Sequence, residues 1–284
     1  MQAKRSNLAY TFIIAQITLV FSLFIGCSLK KTKEFEPIPP KIGAEQIWSK
    51  FLDKQRFKRR NKKGFRIKGS IDISTPKQDS RMTYLFWGNY LYPLRIDLKA
   101  GLGTTYALWR ITDNEYKAYF PSQETVYTHS DPVLGTVKLG FPLPFSFQKL
   151  AFILNGHWRE IVPCKYSRTE YKKKLKCWKF IFNSRQGGIY SLKLDKNAYP
   201  IEITGKSPYP WKVALKNYFR QEKKAIPQKI ILTINNNYKT SLRIKDIQSR
   251  EKTWPTHSLK LKLPKDTAIV PLKERYMPGP LNKN

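Results

Sequence analysis

Gly64-Phe65-Arg66-Ile67-Lys68-Gly69-Ser70-Ile71-Asp72-Ile73 is the stretch that decides how this chain is read. Its apolar side chains, Phe65, Ile67, Ile71 and Ile73, alternate with Arg66, Lys68, Ser70 and Asp72. A period of two puts the first set on one face of a strand and the second on the other, so a half-buried strand is predicted. The pattern recurs outward in both directions. Met82, Tyr84 and Phe86 share a face, and Leu94, Ile96 and Leu98 alternate with Arg95, Asp97 and Lys99. Further strands are predicted over 106–111, 116–120, 125–127 and 175–182. They continue at Tyr190/Leu192/Leu194, Ile201/Ile203, Trp211/Val213/Leu215, Ile230/Leu232/Ile234, Leu242/Ile244 and Leu259/Leu261/Leu263. Turn formers separate them, among them Gly101-Leu102-Gly103, Thr112-Asp113-Asn114 and Asn235-Asn236-Asn237. About a dozen short strands in series make an antiparallel meander, curled or closed.

Two segments carry a helical period instead. Over 44–57, Ile47, Trp48, Phe51 and Leu52 recur on one face. After Phe141-Pro142-Leu143-Pro144, the residues Phe147, Leu150, Ala151, Ile153 and Leu154 repeat at helical spacing, with Ser146 as N-cap and Gly156 as the stop. The sheet has one apolar and one Lys/Arg-rich face, and both helices must bury theirs. The expected fold is therefore mainly β (α+β): a strongly curved, half-open antiparallel β-barrel, with an N-terminal helix and a lid helix over a hydrophobic cavity. The candidate cavity positions on the strands are Met82, Tyr84, Phe86, Leu94, Ile96, Leu98, Leu192, Leu194, Val213 and Leu215. The candidate lid is Phe147, Leu150, Ile153 and Leu154. Such an interior either closes on its helices or leaves room for acyl chains.

Composition bounds the class. The chain has 284 residues, 41% hydrophobic and 14% aromatic, which is ample for one sizeable core and excludes wholesale disorder. It holds one long apolar run, so it is not polytopic. That run, Leu8 to Gly26, follows Lys4-Arg5 and ends at Cys27, as an export signal does. Residues 1–26 are expected as signal, 27–43 as lipidated Cys and Pro-rich tether, 44–270 as the domain, and 271–284 as a flexible tail. An uncleaved anchor helix is the alternative at the N-terminus. Export also permits a disulfide between Cys164 and Cys177, which lie in segments joined by Lys172-Lys173-Lys174; two unpaired thiols are the other possibility.

Several features resemble known families. Leu23-Phe24-Ile25-Gly26-Cys27 resembles a bacterial lipobox, with Cys27 as the lipidated residue and Phe24 where Leu is usual. Ser28 stands where an Asp would resemble an inner-membrane retention signal, which favours the outer membrane. From 44 to 263 the chain resembles the bacterial LolA/LolB lipoprotein-sorting proteins. The resemblance is carried by the strand 64–73, by Tyr92-Pro93-Leu94-Arg95-Ile96-Asp97-Leu98 with Gly101-Leu102-Gly103, and by Gly140-Phe141-Pro142-Leu143-Pro144 with Leu150, Leu154 and Gly156. The stretches 213–218 and 227–230 extend it. It implies half-open barrels over a hydrophobic cavity, and for Leu102 the role of a leucine on a membrane-inserting loop. The chain departs from the family in its basicity, its Cys164/Cys177 pair and its tail.

The net charge is +33. Basic residues gain about 1 kcal/mol each near anionic headgroups; a solvated basic surface is the bland reading. Export argues against nucleic acid as partner. Enzyme motifs are lacking: Gly101-Leu102-Gly103 has no third glycine, Gly205-Lys206-Ser207 has Pro200 where a P-loop needs glycine, and no Gly-x-Ser-x-Gly occurs. His129, His157 and His257 are scattered, without metal-ligand spacing, and read as surface or turn residues. The expectation is a non-enzymatic, monomeric outer-membrane lipoprotein facing the periplasm, with neither cofactor nor metal. It would receive lipoprotein acyl chains or phospholipid from a periplasmic LolA-like carrier and insert them into the membrane. The alternative is an envelope sensor or scaffold lipoprotein of the same fold, binding anionic lipid, lipopolysaccharide or a protein partner.

Overall fold

The alternation that opens at Gly64 becomes β1 (Gly64–Ser74), which lies near the middle of a 14-stranded sheet. The computed structural model describes residues 43–56, 63–74, 79–141, 143–183, 188–206, 209–221, 224–235 and 238–272. From β1 one meander runs through β2 (Asp79–Asn89), β3 (Leu94–Ala100), β4 (Thr104–Ile111), β5 (Tyr116–Phe120) and β6 (Thr125–His129). A second runs through β7 (Arg168–Lys172), β8 (Cys177–Ile181), β9 (Ile189–Leu194), β10 (Pro200–Gly205), β11 (Trp211–Gln221), β12 (Lys224–Ile234) and β13 (Tyr238–Arg250). β13 returns to pair with β1, so the two meanders make one antiparallel sheet. A last strand, β14 (Ala268–Pro271), adds in parallel to β6. Among the described residues the edges β14 and β7 do not pair, and the curved sheet stays unclosed.

Register sorts the faces, because residues directly opposite each other point the same way. Ile67 lies between Phe86 and Ile247, and Ile71 between Met82 and Leu242, on the inner face. On the outer face Arg243 lies beside Ser70 and Lys229, and Lys229 beside Lys216. The basic face expected from the sequence is thus real. The run Lys172–Lys174 forms the turn between β7 and β8.

Among the described residues, three helices cover the inner face. In α1 (Ala44–Arg56), Ile47, Trp48 and Phe51 are buried, and the Trp48 ring lies 4.9 Å from Phe180. The short α2 (Pro132–Lys138) was not foreseen: seven residues with a central Gly135 show too little period to read. Its start is nevertheless written in Asp131-Pro132, since the Asp131 carboxylate accepts from the amides of Val133 at 2.8 Å and Leu134 at 3.0 Å. In α3 (Phe147–Leu154), Ser146 Oγ accepts from the Lys149 amide at 3.3 Å, and Gly156 follows at φ +69°. Cap and stop stand where the sequence predicts them.

Other expectations need correction. Leu259/Leu261/Leu263 is not a strand. Residues Thr256–Leu259 form a single 3-10 turn, only Leu259 of the three leucines is buried, and the Arg95 guanidinium holds the Lys260 carbonyl at 2.6 Å. Pro255 and Pro264 flank the segment and deny it a ladder. His157 is no surface residue: it is 2% exposed and lies 3.1 Å from the Tyr90 hydroxyl. Cys164 and Cys177 are unbonded. Cys177 opposes Lys172 at the turn end of the β7–β8 hairpin, whereas Cys164 precedes the open end, where Ser167 donates to the Ile181 carbonyl. The hairpin holds the two sulfurs at opposite ends, and disulfide geometry needs Cα atoms about 4.4–6.8 Å apart. Cys27 lies outside the described residues.

Two glycines let large rings lie flat across the inner face. Gly69 opposes Tyr84, and Gly205 opposes Trp211. A Cβ on Gly69 would sit 2.0 Å from the Arg243 carbonyl oxygen and 2.7 Å from the Tyr84 ring. Gly69→Ala should therefore destabilise the fold by about 1–3 kcal/mol in chemical denaturation. The thiols make a second expectation. Cys164 is exposed, while Cys177 is buried and its thiol is pushed up by that burial. Peptide mapping after maleimide treatment of the native chain should find Cys164 modified and Cys177 intact until denaturant is added; a Cys164–Cys177 cross-linked peptide would contradict this.

Candidate functional site

The inner face and its helices enclose a cavity of about 90 Å³. Of the residues expected there, Tyr84, Phe86, Ile96, Leu98, Phe147, Leu150, Leu154 and Val213 line it. Met82, Leu94, Ile153, Leu192, Leu194 and Leu215 are buried in the surrounding core and do not line it. The void also takes walls that sequence reasoning did not select: Ile71, Ile73, Trp109, Ile230, Leu232 and Leu242 from strands, Thr136 from α2, Thr240 from β13, and Phe141, Leu143 and Phe145. The strand residues among them obey the same alternation as those selected. The last three alternate with prolines in Phe141-Pro142-Leu143-Pro144-Phe145, which is the signal that could have identified them.

These last three form a door. The segment leaves α2 through Gly140, at φ +79°, and enters α3 at the Ser146 cap. Phe141 stands edge-on to Trp109 at 4.9 Å, and Phe145 meets Trp211 at 5.4 Å. Phe141 and Leu143 are only half-buried. α3 is a different matter: Phe147, Phe152, Ile153 and Leu154 are buried on more than one side of the helix. Exposing four such side chains costs roughly 6–12 kcal/mol at about 1.5–3 kcal/mol each. That rivals the whole stability of a domain, about 5–15 kcal/mol. α3 is a plug that belongs to the core, and of the three door residues Phe141 and Leu143 are the less deeply held, while Phe145 is buried.

The wall is apolar with few polar atoms. Thr136 is satisfied by the Val133 carbonyl at 2.7 Å. Among the described residues the Tyr84 hydroxyl and the Trp109 indole N–H, both buried, have no hydrogen-bond partner. Burial alone raises the Tyr84 phenol far above its ordinary range, so it stays protonated and remains a donor.

Leu102 stands fully exposed at the β3–β4 tip between Gly101, at φ +53°, and Gly103, at φ +101°. It does not fold back on the sheet. Exposed Tyr209 and Tyr238 lie at the same end, beside the starts of β11 and β13. The cavity reaches that end at Ile73, Leu98, Leu232, Val213 and Thr240, and extends toward the other at Ile96 and Trp109, each two residues from the opposite end of its strand.

No protein-family model matches this chain, and no curated protein matches it. Among solved structures it is similar in fold to a LolA superfamily protein from Nitrosomonas europaea, with 13% identity, 75% of this chain and 97% of that one covered, and a TM-score of 0.47. A DUF1329 family protein from Desulfovibrio piger shows 7% identity over 72% of this chain and 92% of its own, with a TM-score of 0.48. A domain from Vibrio parahaemolyticus provisionally ascribed to outer membrane lipoprotein sorting shows 10% identity, covering 75% and 94%, with a TM-score of 0.47.

Proposed function

We propose that this chain is a lipid-anchored envelope protein that takes an acyl chain into its cavity and hands it to the membrane its rim touches. The observation that carries this reading is an apolar cavity, covered by the door segment, that reaches the end of the half-barrel bearing Leu102. The bound group would be the acyl chain of a lipoprotein or phospholipid, received from a LolA-like carrier and delivered to the outer membrane, with Cys27 as the lipid attachment point. No covalent chemistry is needed. Each buried methylene is worth about 0.8 kcal/mol in either site, so transfer is close to balanced and small differences set its direction.

At about 90 Å³ the cavity falls short of the 300–1,000 Å³ or so of pockets that enclose a small ligand. Uptake therefore requires Phe141, Leu143 and Phe145 to move outward, while α3 stays. Lys212 and Lys239 follow Trp211 and Tyr238 by one residue, at the depth where headgroup phosphates would lie if the rim enters a bilayer. Each is worth about 1 kcal/mol there. The small cavity also supports a second reading, an envelope scaffold whose interior stays filled and whose basic face binds a partner.

Leu102 touches nothing that folding depends on, so Leu102→Asp should fold and bind acyl ligand as the parent does. Transfer of a fluorescent triacylated peptide from the full chain to vesicles should slow at least about tenfold, as the loss of one leucine's insertion implies. Transfer at the parent rate would remove the rim from the mechanism. A parent chain that retains no acylated peptide would favour the scaffold.

A further inference from the structure

Among the described strands β14 alone pairs in parallel, at the sheet edge beyond β6, and all of its residues, Ala268–Pro271, are exposed. Ile269 is 65% exposed, so the side chains of the strand do little to hold it down. Its backbone does. The Ala268 amide donates to the Glu124 carbonyl at 3.0 Å, and the Leu272 amide donates to the Thr128 carbonyl at 2.9 Å. The first buried side chain is that of Leu272, one residue past the strand. A short parallel strand at an edge, anchored by one side chain, is an element that can open while the rest of the domain stays folded.

What that anchor ties down is the root of the door. The Leu272 carbonyl accepts from the Lys138 ammonium at 3.4 Å. Lys138 is 8% exposed, a charge inside the fold, and it stands in the last turn of α2. The door starts from that turn. The Phe141 amide donates to the Thr136 carbonyl at 2.9 Å and the Gly140 amide to the Val137 carbonyl at 3.0 Å, with Gly140 at φ +79°. This nested pair of bonds is how a left-handed glycine closes a helix. The two halves of α2 are held differently. Its first half has the Asp131 cap and Gly135, where a Cβ would sit 2.5 Å from the Tyr116 ring, so it lies tight on β5. Its last turn is tied to Leu272.

We infer that β14 with Leu272 is a strap on the door: docked on β6 it fixes the last turn of α2 and the Gly140–Phe141 root, and released it frees them. When the strap leaves, Lys138 loses an acceptor, and a buried ammonium short of acceptors is drawn toward water. The turn that carries Lys138 moves with it. The bonds to the Thr136 and Val137 carbonyls open, and Phe141 can leave Trp109, whose ring lies 4.9 Å from its own. The inference rests on the acyl-binding reading above only for what passes the door, and it adds what governs the door.

Native-state hydrogen exchange of the full chain without ligand tests it. In the parent, the amides of Ala268, Leu272, Gly140 and Phe141 should share one opening equilibrium, at least about tenfold more open than that of β1. Leu272→Ala should quicken these amides by about tenfold and leave those of β1 unchanged, as loss of one buried leucine implies. In a Lys138→Met background the same substitution should quicken Ala268 and residue 272 alone, because the tie to α2 is gone. Strap amides that quicken in the parent background while Gly140 and Phe141 do not, or a strap that opens only together with β1, would overturn the inference. The parent rates decide it by themselves if Leu272→Ala does not fold. Uptake of methyl palmitate by Leu272→Ala should be about threefold faster or more, and uptake at the parent rate with an opened root would also overturn the strap's role. A parent that takes up no methyl palmitate would contradict the acyl-binding reading and leave the exchange result to decide the strap.

Discussion

An open, curved sheet with one greasy face must have that face covered, and the rest of this structure follows from how it is done. The 11 residues of β1 span roughly 36 Å at about 3.3 Å each. The eight residues of α3 span only about 12 Å at 1.5 Å each. No helix among the described residues is long enough to cover the strands from end to end. α1 seals the region of β8 through Trp48 and Phe180, and α3 fills the middle. Between α2 and α3 the cavity is closed by Phe141, which packs on Trp109, by Leu143, and by Phe145, which packs on Trp211. The cavity lies between the sheet and the helices, walled by Thr136 of α2 and by Phe147, Leu150 and Leu154 of α3.

Much of this was legible in the sequence because sheet and helix impose different periods. Alternation from Gly64 to Ile73 gave strand and face correctly, though not the pairing with β13, and Ser146 and Gly156 bracketed α3 as caps do. The inner-face residues were read as inner, yet only some touch the void. Leu192 and Leu194 share the period of Val213 but pack elsewhere, since position relative to the helices is a long-range property that no local pattern records. The Leu259 segment shows the reverse error. Its alternation is that of a strand, but no neighbouring edge offers it hydrogen bonds. β14, which does find an edge at β6, is four exposed apolar residues, Ala268–Pro271, with no alternation to announce a strand. Cys164 and Cys177 looked like partners across a short hairpin, and the register that separates them was not visible in their spacing.

The outer face poses its own problem. Lys216, Lys229 and Arg243 lie side by side on three adjacent strands, an arrangement that costs stability when like charges face directly. With a net charge of +33, the fold tolerates this row because these side chains reach water on a convex surface. A negatively charged bilayer would turn the same cost into attraction, which fits an apolar rim flanked by lysines better than it fits a freely diffusing protein.

The central claim is that the door segment opens while α3 stays in place. Hydrogen–deuterium exchange of the full chain, read residue by residue over 139–154, tests it most directly. The account predicts fast exchange of the Leu143 and Phe145 amides, slow exchange in α3 set by unfolding of the whole domain, and slowing of the door alone when methyl palmitate is added. Door and helix exchanging together, or a door as protected as the central strands and unmoved by ligand, would contradict it.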